Sequence, residues 1–479
     1  MLPALCASLL LASAAAAAAP RRVFHVSPRA QHGALSDGSA AAPMGLREAQ
    51  RAVRDLLSAS PDAAGTPLEV RLGSGDYFNA SLRLTERDSG DVVWRGPGAR
   101  EGAPATVYGG ARVSGWTPAP AVGEHVWQAP LPPQLLDSGG RALFRQLVQG
   151  ERSAWLAREP DFGSGFLSCG GGNSGFTCGA GVLPAHFDCV NSSCSAFTRA
   201  GYSSDIRAVT AVNFTAAGGA QVSVVSANTS GSRGSWYLQG PLELLDREGE
   251  WAARHGVLYF WPYSKGGQQQ NPNELIITAP VEQQIISFVG KSQQAPVTGV
   301  TVSNLRVVGS SMPSTYVYMC RGDGSPVGSP AGAACAATGG PDTPDETNTS
   351  PRSASQGMVY MENATSITVK DCALKAAGIA AIWMEEANEN HTIVGNWIED
   401  IAGFGLYANG VGPGDRRYSS AEAADVNHGH LISNNLVRKH LPDFVLSSFC
   451  IFRFSHCLAR QSPDRNRTTY SNENDAVFS

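Results

Sequence analysis

Two six-residue runs, Val369-Lys-Asp-Cys-Ala-Leu374 and Ile393-Val-Gly-Asn-Trp-Ile398, superimpose at an offset of 24 residues. Each is followed by a small-residue turn and another apolar strand: Ala377-Gly378-Ile379 before Ile382, and Ala402-Gly403-Phe404 before Leu406. Leu431-Ile-Ser-Asn-Asn-Leu436 carries the pattern again after an insertion, and Val302-Ser-Asn-Leu-Arg-Val307 is an earlier copy. A unit this short cannot bury its apolar face alone, so like units must stack to make a core. A period near 24 fits one coil of a parallel β-helix, with Asn304, Asn396 and Asn434 expected to stack as a ladder at the turn. A leucine-rich repeat has a similar period but demands a fixed Leu-x-x-Leu-x-Leu framework, which is absent.

Across the 479 residues, 53 glycines and 29 prolines favour many turns and short strands over long helices. An opening strand, Val23-Phe-His-Val26, leads to one helical period at 45–57, where Leu46, Ala49, Val53, Leu56 and Leu57 share a face. Short apolar runs at 68–72, 82–84, 91–94 and 106–108 follow, separated by Gly73-Ser-Gly75 and Gly96-Pro-Gly98. One helix ahead of evenly spaced strands predicts a cap over the first open rung. Residues 117–281 differ: alternation at 208–214, 221–226, 257–261 and 275–278 leaves one polar face, as in antiparallel sheet. The expected fold is all-β, a parallel β-helix with one N-terminal capping helix and an inserted antiparallel β-rich domain. Its divisions would be a signal peptide (1–19), cap and first coils (20–116), a β-sandwich-like insert with a Cys-rich loop (117–281), further coils (282–440) and an atypical tail (441–479).

Residues 1–19, MLPALCASLLLASAAAAAA, are apolar and end in small residues, as a secretory signal cleaved near Ala19 does, although the early positive charge is missing. The run is short and Ala-rich for a membrane anchor, and no later segment is long and apolar enough to cross a bilayer. A soluble, extracellular mature chain with no membrane partner is expected. Eight N-x-[ST] acceptors, at Asn79, Asn191, Asn213, Asn228, Asn348, Asn363, Asn390 and Asn466, fit a eukaryotic secretory route. Cys169, Cys178, Cys189 and Cys194 crowd a Gly/Ser-rich stretch with irregular gaps and no C-x-x-C pair. Disulfides among these four are favoured over zinc, in no fixed order, with Cys320 joined to Cys335. Cys372 lies in an apolar–polar alternation and is expected in the core. A net charge of −5 without a basic run excludes a phosphate-backbone footprint, and with it a nucleic-acid partner.

Phe24-His-Val-Ser-Pro28, the helical stretch, Gly75-Asp-Tyr77, Asp88-Ser-Gly90 and Tyr108-Gly-Gly-Ala-Arg-Val-Ser-Gly-Trp116 resemble the opening of secreted right-handed β-helix proteins of the pectin-lyase-like superfamily. Gly234-Ser-Trp-Tyr-Leu238, Glu250-Trp251 and Gly256-Val-Leu-Tyr-Phe-Trp-Pro262 look like the segment that β-helix glycosidases of the β-xylosidase and α-fucosidase type carry in an inserted β-sandwich. The resemblance covers roughly residues 21–440 and implies a right-handed parallel β-helix, on a scaffold that hosts many functions. After His440 the rhythm stops: 441–457 is dense in Phe and Cys, 461–479 is polar, and no regular coils are expected there. The relatives normally add several more coils at this point, so part of the groove would be missing.

A glycosidase needs two carboxyl groups at the scissile bond, one protonated and one ionised. Glu385 and Glu386 end a strand at 380–384, Asp400 precedes the turn of the next coil, and Asp425 lies in the following insertion. Coils about 4.8 Å apart would let acids of neighbouring coils reach one sugar. Glu399-Asp400-Ile-Ala-Gly403 is similar to a His-Asp-(small)-Gly pattern of glycosidase-like relatives, with Glu399 where they carry His. The plainer alternative for each acid is a solvated edge or a turn-capping carboxylate. Elimination is the rival chemistry, with Lys370, Lys375, Arg416 or Arg417 as base and often Ca²⁺, yet no Asp cluster has calcium-binding spacing. Arg321-Gly-Asp323 is a chance tripeptide in a Gly-rich chain, and His428-Gly-His430 lacks a third metal ligand. The expectation is a secreted glycoside hydrolase acting on a cell-wall or matrix polysaccharide, with no cofactor or metal. The alternatives are a non-catalytic extracellular glycan-binding or structural protein and a polysaccharide lyase. Two carboxylates gathered within about 5–10 Å favour the hydrolase, and scattered ones favour binding.

Overall fold

The computed structural model describes residues 21–29, 36–59, 67–100, 102–161, 163–172, 174–189, 194–200, 203–225, 235–312, 316–317, 357–409, 427–440 and 476–477. Their regular structure is almost entirely β, with a single α-helix, Leu46–Ala59. Three sheets are built of parallel strands. The first holds Arg22–Val26, Leu68–Leu72, Val92–Arg95, Val300–Ser303, Thr368–Lys370, Thr392–Val394 and Leu431–Ser433, side by side in that order. The second holds Gly75–Tyr77, Ala105–Tyr108, Arg306–Val308, Ala373–Ala377, Trp397–Ile401 and Leu436–His440, with Ala476–Val477 added antiparallel at its end. The third runs Leu82–Thr85, Ile286–Val289, Gly357–Thr365, Ala380–Glu389 and Phe404–Asn409.

From Leu68 onward the chain visits first, second and third sheet in rotation, so each strand lies beside its counterpart from the circuit before. Val302, Val369, Ile393 and Ile432 align in the first sheet, and Val307, Leu374, Ile398 and Val437 in the second. With Val359, Ile382 and Leu406 of the third sheet they fill one shared core. The helix closes its start: Ala49 and Val53 are buried, and Leu46, Leu56 and Leu57 pack on the same cluster. Arg54 fixes the helix there with two 2.8 Å hydrogen bonds to the fully buried Asp88.

The corners explain both the period and one correction to it. Asn304, Asp371, Gly395 and Asn434 form a column of positive φ between first and second sheets. Gly309, Ala376 and Asp400 do so between second and third, and Gly299, Ser366, Asn390 and Gly429 between third and first. A sharp corner needs the left-handed region, which Gly, Asn and Asp enter at least cost. Asn304 and Asn434 are therefore corner residues, not ladder members as the repeat suggested. The ladder is one residue further on: the Cys372 amide donates to Asn396 Oδ1 at 3.0 Å, and the Asn396 amide to Asn435 Oδ1 at 3.0 Å. Ile393 likewise pairs with Ile432, not Leu431. A slip of one residue turns every side chain to the opposite face, and Leu431 is 56% exposed. A second ladder stands at the next corner, where Ile367 N donates to His391 Nδ1 and His391 N to His430 Nδ1, each at 3.1 Å.

Between Tyr108 and Ile286 lie two largely antiparallel sheets. One contains Gly110–Arg112, Ile277–Pro280, Leu147–Gln149, Arg152–Leu156, Glu250–Arg254, Val257–Phe260, Trp127–Pro130 and Thr117–Pro118. The other contains Arg158–Glu159, Ser235–Gln239, Ser195–Ala200, Ser203–Phe214, Ala220–Val224, Gly175–Cys178 and Gly170–Gly172. Ala252 of the first, with Val126 just ahead of its strand Trp127–Pro130, shares a core with Phe176, Ala196, Val222, Trp236 and Leu238 of the second. Cys169 is joined to Cys178 and Cys189 to Cys194, and Cys372 is a buried free thiol. No helix among the described residues is long and apolar enough to cross a membrane. The signal segment, Cys320 with Cys335, the Arg321-Gly-Asp323 tripeptide and residues 441–475 lie outside the described residues.

Candidate active site

The third parallel sheet has two faces of different chemistry. Val359, Met361, Ile382, Met384, Leu406 and Ala408 point into the core, so their alternate neighbours point outward. One outward row is aromatic, Tyr360, Trp383 and Tyr407, with Trp383 and Tyr407 rings 4.2 Å apart. The insert covers this row: Phe197, Ile206 and Tyr237 join Tyr360, Trp383, Phe404 and Tyr407 in one apolar cluster. Phe197 and Tyr237 are stacked at 4.6 Å, and the Arg158 guanidinium lies 3.7 Å over the Tyr237 ring.

The adjacent outward row carries acid. Glu362 of Gly357–Thr365 and Glu385 of Ala380–Glu389 are direct register partners. Tyr360 Oη donates to Glu362 Oε2, and Trp383 Nε1 to Glu385 Oε2, both at 2.6 Å. Glu362 is half-buried and Glu385 is 4% exposed. Just past the pair the register shifts, because Ala364 faces Asn388, which leaves an extra residue in the Ala380–Glu389 strand. Such a bulge re-aims the side chains beside it. The fully buried Asn388 braces the bulge, donating to Glu385 O at 2.6 Å while its Oδ1 meets His391 Nε2 at 3.0 Å. Two carboxyl groups on neighbouring strands, one more buried than the other, can share one small substrate group between them.

Of the acids singled out from sequence, Glu385 is in this pair. Asp400 is elsewhere: it sits on the left-handed corner (φ 62°) ahead of the third sheet, 8% exposed, and its Oδ2 accepts from Ser153 N at 2.5 Å. Glu385 stands five residues beyond Ala380 along its strand, about 16 Å at the ordinary rise, on the far side of that corner. The structure thus does not bring Asp400 to Glu385. The Glu386 side chain, Asp425, Arg416 and Arg417 lie outside the described residues. Lys375, weighed as a base for elimination, is ion-paired with Glu399 and sits 3.5 Å over the Trp397 ring. Burial lowers its pKa, against the pull of Glu399. His430 spends its Nδ1 on the His391 amide.

Glu362 escaped sequence reading, although a signal exists. Val359-Tyr-Met-Glu362 and Ile382-Trp-Met-Glu385 are near copies, offset by 23 residues instead of 24.

The chain matches no protein-family model and no curated protein. Among solved structures it is similar to one titled glycoside hydrolase, with 18% identity and a TM-score of 0.65 over 87% of this chain and 73% of that one. A complex of XylC with xylose aligns over 88% of this chain and 62% of that one, at 10% identity and a TM-score of 0.33 that carries no weight. The first likeness is one of fold: this chain shares the architecture of a glycoside hydrolase.

Proposed function

We propose that this chain is a secreted glycoside hydrolase on a right-handed parallel β-helix scaffold, acting on a cell-wall or matrix polysaccharide through Glu362 and Glu385. The observation that carries the reading is their direct pairing on one face of neighbouring strands. One carboxyl group protonates the departing glycosidic oxygen while the other attacks the anomeric carbon. Water, activated by the first group, then releases the sugar. Parallel neighbours stand about 4.8 Å apart. That suits the short carboxyl separation of retaining enzymes, about 5–5.5 Å, better than the 6.5–9.5 Å or so of inverting ones. The shared architecture with a glycoside hydrolase supports the scaffold, and the two disulfides fit an oxidising compartment.

The test is a release assay on a panel of polysaccharides and aryl glycosides, reading reducing ends and unsaturated products together. Reducing ends with retained anomeric configuration, lost in both Glu362→Gln and Glu385→Gln, are expected. Unsaturated products would mean elimination instead, and binding without release would mean a glycan-binding protein.

A further inference from the structure

Three acids far apart in sequence meet at one edge of the insert. Asp161 follows the edge strand Arg158–Glu159, Asp246 lies in the turn before Glu250–Arg254, and Glu250 opens that strand opposite Trp155. One carboxylate oxygen from each lies within 4.8 Å of the other two. Glu250 is 2% exposed and its Oε1 has no hydrogen-bond partner, while its Oε2 accepts the Asp246 amide at 3.4 Å and the Arg158 backbone also bonds the carboxyl. Asp161 Oδ1 is also buried and without a partner. Arg247 stands beside them, with its Nη1 3.5 Å from Asp161 Oδ2 and its charge pulling against the rise at Asp246. A buried carboxylate oxygen left without a donor keeps its full desolvation penalty.

We propose that Asp161, Asp246 and Glu250 form a calcium-binding site that fastens the insert. Two oxygens each about 2.3–2.6 Å from one Ca²⁺ can be at most about 4.6–5.2 Å apart, which the cluster satisfies. The donors are all hard oxygens, so zinc and copper are poor fits. Mg²⁺ demands near-octahedral geometry and keeps its waters, while Ca²⁺ tolerates irregular sets drawn from separate segments. The electrostatics agree. Burial, then Asp161 and Asp246, push the Glu250 carboxyl up to about 9, and burial with Asp161 raises Asp246. Glu159 is raised as well, by burial and the same two aspartates.

The site adjoins the wall of the candidate active site without belonging to it. Arg158 Nε donates to Pro160 O at 2.9 Å, one residue before Asp161, while its guanidinium covers Tyr237. An ion holding Asp161 in place would hold that arginine, and through Tyr237 the aromatic cluster under Trp383. The proposal does not depend on the hydrolase reading.

The experiment uses the full chain, stripped with EDTA, and follows Tm and calorimetric binding in Ca²⁺, Mg²⁺ and chelator. Ca²⁺ at a few millimolar should raise Tm by about 2–5 °C, and Mg²⁺ by less. Glu250→Gln and Asp161→Asn should abolish the Ca²⁺ shift, and Glu250→Gln, nearly the same in shape, should keep a Tm in EDTA close to that of the wild type. Asp246→Asn, at the exposed rim, gives a folded control and should weaken Ca²⁺ binding at least ~10-fold. A wild-type Tm that Ca²⁺ leaves unmoved would overturn the site. So would a Ca²⁺ shift that survives in these variants, since the ion then binds elsewhere.

Discussion

Glu362 and Glu385 stand in register on neighbouring parallel strands, and each accepts a 2.6 Å hydrogen bond from an aromatic donor two residues back, Tyr360 and Trp383. Alternation sets this arrangement, because residues i and i−2 share a face. A hydrogen bond to a charged group contributes about 1.5–3 kcal/mol. If these carboxylates react, Tyr360→Phe should lower kcat about 10–100-fold with Tm nearly unchanged, since shape is kept. Trp383→Phe is the poorer probe, because it also opens space against Tyr407. Steady-state kinetics beside a melting curve separates the two effects, and an unchanged kcat in Tyr360→Phe would remove the hydroxyl from the chemistry.

The Asn ladder makes a sharper prediction about stability. Asn396 is fully buried, accepts from Cys372 N, and donates through Nδ2 to Val369 O at 3.0 Å and Asn435 Oδ1 at 2.9 Å. Asn396→Ala orphans the first two backbone groups, at about 1–3 kcal/mol each. Asn434→Gly, one residue off the ladder and already left-handed, should change stability by less than about 1 kcal/mol. Urea midpoints of the two variants test the assignment directly, and equal losses would contradict it.

The coil period was legible because every circuit buries the same positions, as Val369 and Ile393 or Leu374 and Ile398 do. The slip in the last copy was not, because Leu431 and Ile432 are both apolar and only the tertiary partner chooses between them. Glu362 was hidden by the bulge next to Glu385, which changes the local offset from 24 to 23. The cluster of Asp161, Asp246 and Glu250 had no local trace at all. Asp161 and Glu250 become neighbours only because Arg152–Leu156 pairs in parallel with Glu250–Arg254.

The histidine ladder should make the fold acid-sensitive. Burial, with the charge of the neighbouring histidine, lowers His430 to about 4 and holds His391 well below the usual range. The unfolded chain therefore binds more protons than the folded one between about pH 6.5 and 4, so stability is full above 6.5 and falls as pH drops. The loss from His430 alone is on the order of 3 kcal/mol. Urea titrations at pH 7.5 and 4.5 should show a midpoint drop that His430→Asn reduces, and a variant with the same pH dependence as wild type would contradict this.

Thiol chemistry should follow burial. Non-reducing peptide maps should return Cys169–Cys178 and Cys189–Cys194 as pairs. Cys372 should stay unlabelled by alkylating reagents at pH 8 until the chain unfolds, because burial pushes its thiol up to about 12 and closes access. Fast labelling of the native protein at Cys372 would mean that the core opens there.

Asp400 separates two roles that the same acid could play. The similarity of its surroundings to a glycosidase pattern makes it a candidate for the chemistry, whereas its geometry is that of a corner. It continues the left-handed column of Gly309 and Ala376, and it binds Ser153 of the insert strand Arg152–Leu156. Beside it, Gln146 Nε2 donates to both Ser153 Oγ and Ala376 O, at 2.9 and 3.1 Å. We therefore expect Asp400 to fasten the insert against the coils and to act on the reaction through position alone. Asp400→Asn keeps the shape and the tolerance for positive φ while weakening a charge-assisted bond. It should lower Tm by a few degrees and kcat by less than ~10-fold, with KM carrying part of the change. Asp400→Ala adds backbone strain and an orphaned Ser153 amide, so its Tm should fall further. A loss of ~10²-fold or more in kcat for Asp400→Asn, with Tm and KM unchanged, is the signature of an acid or base and would move Asp400 into the chemistry.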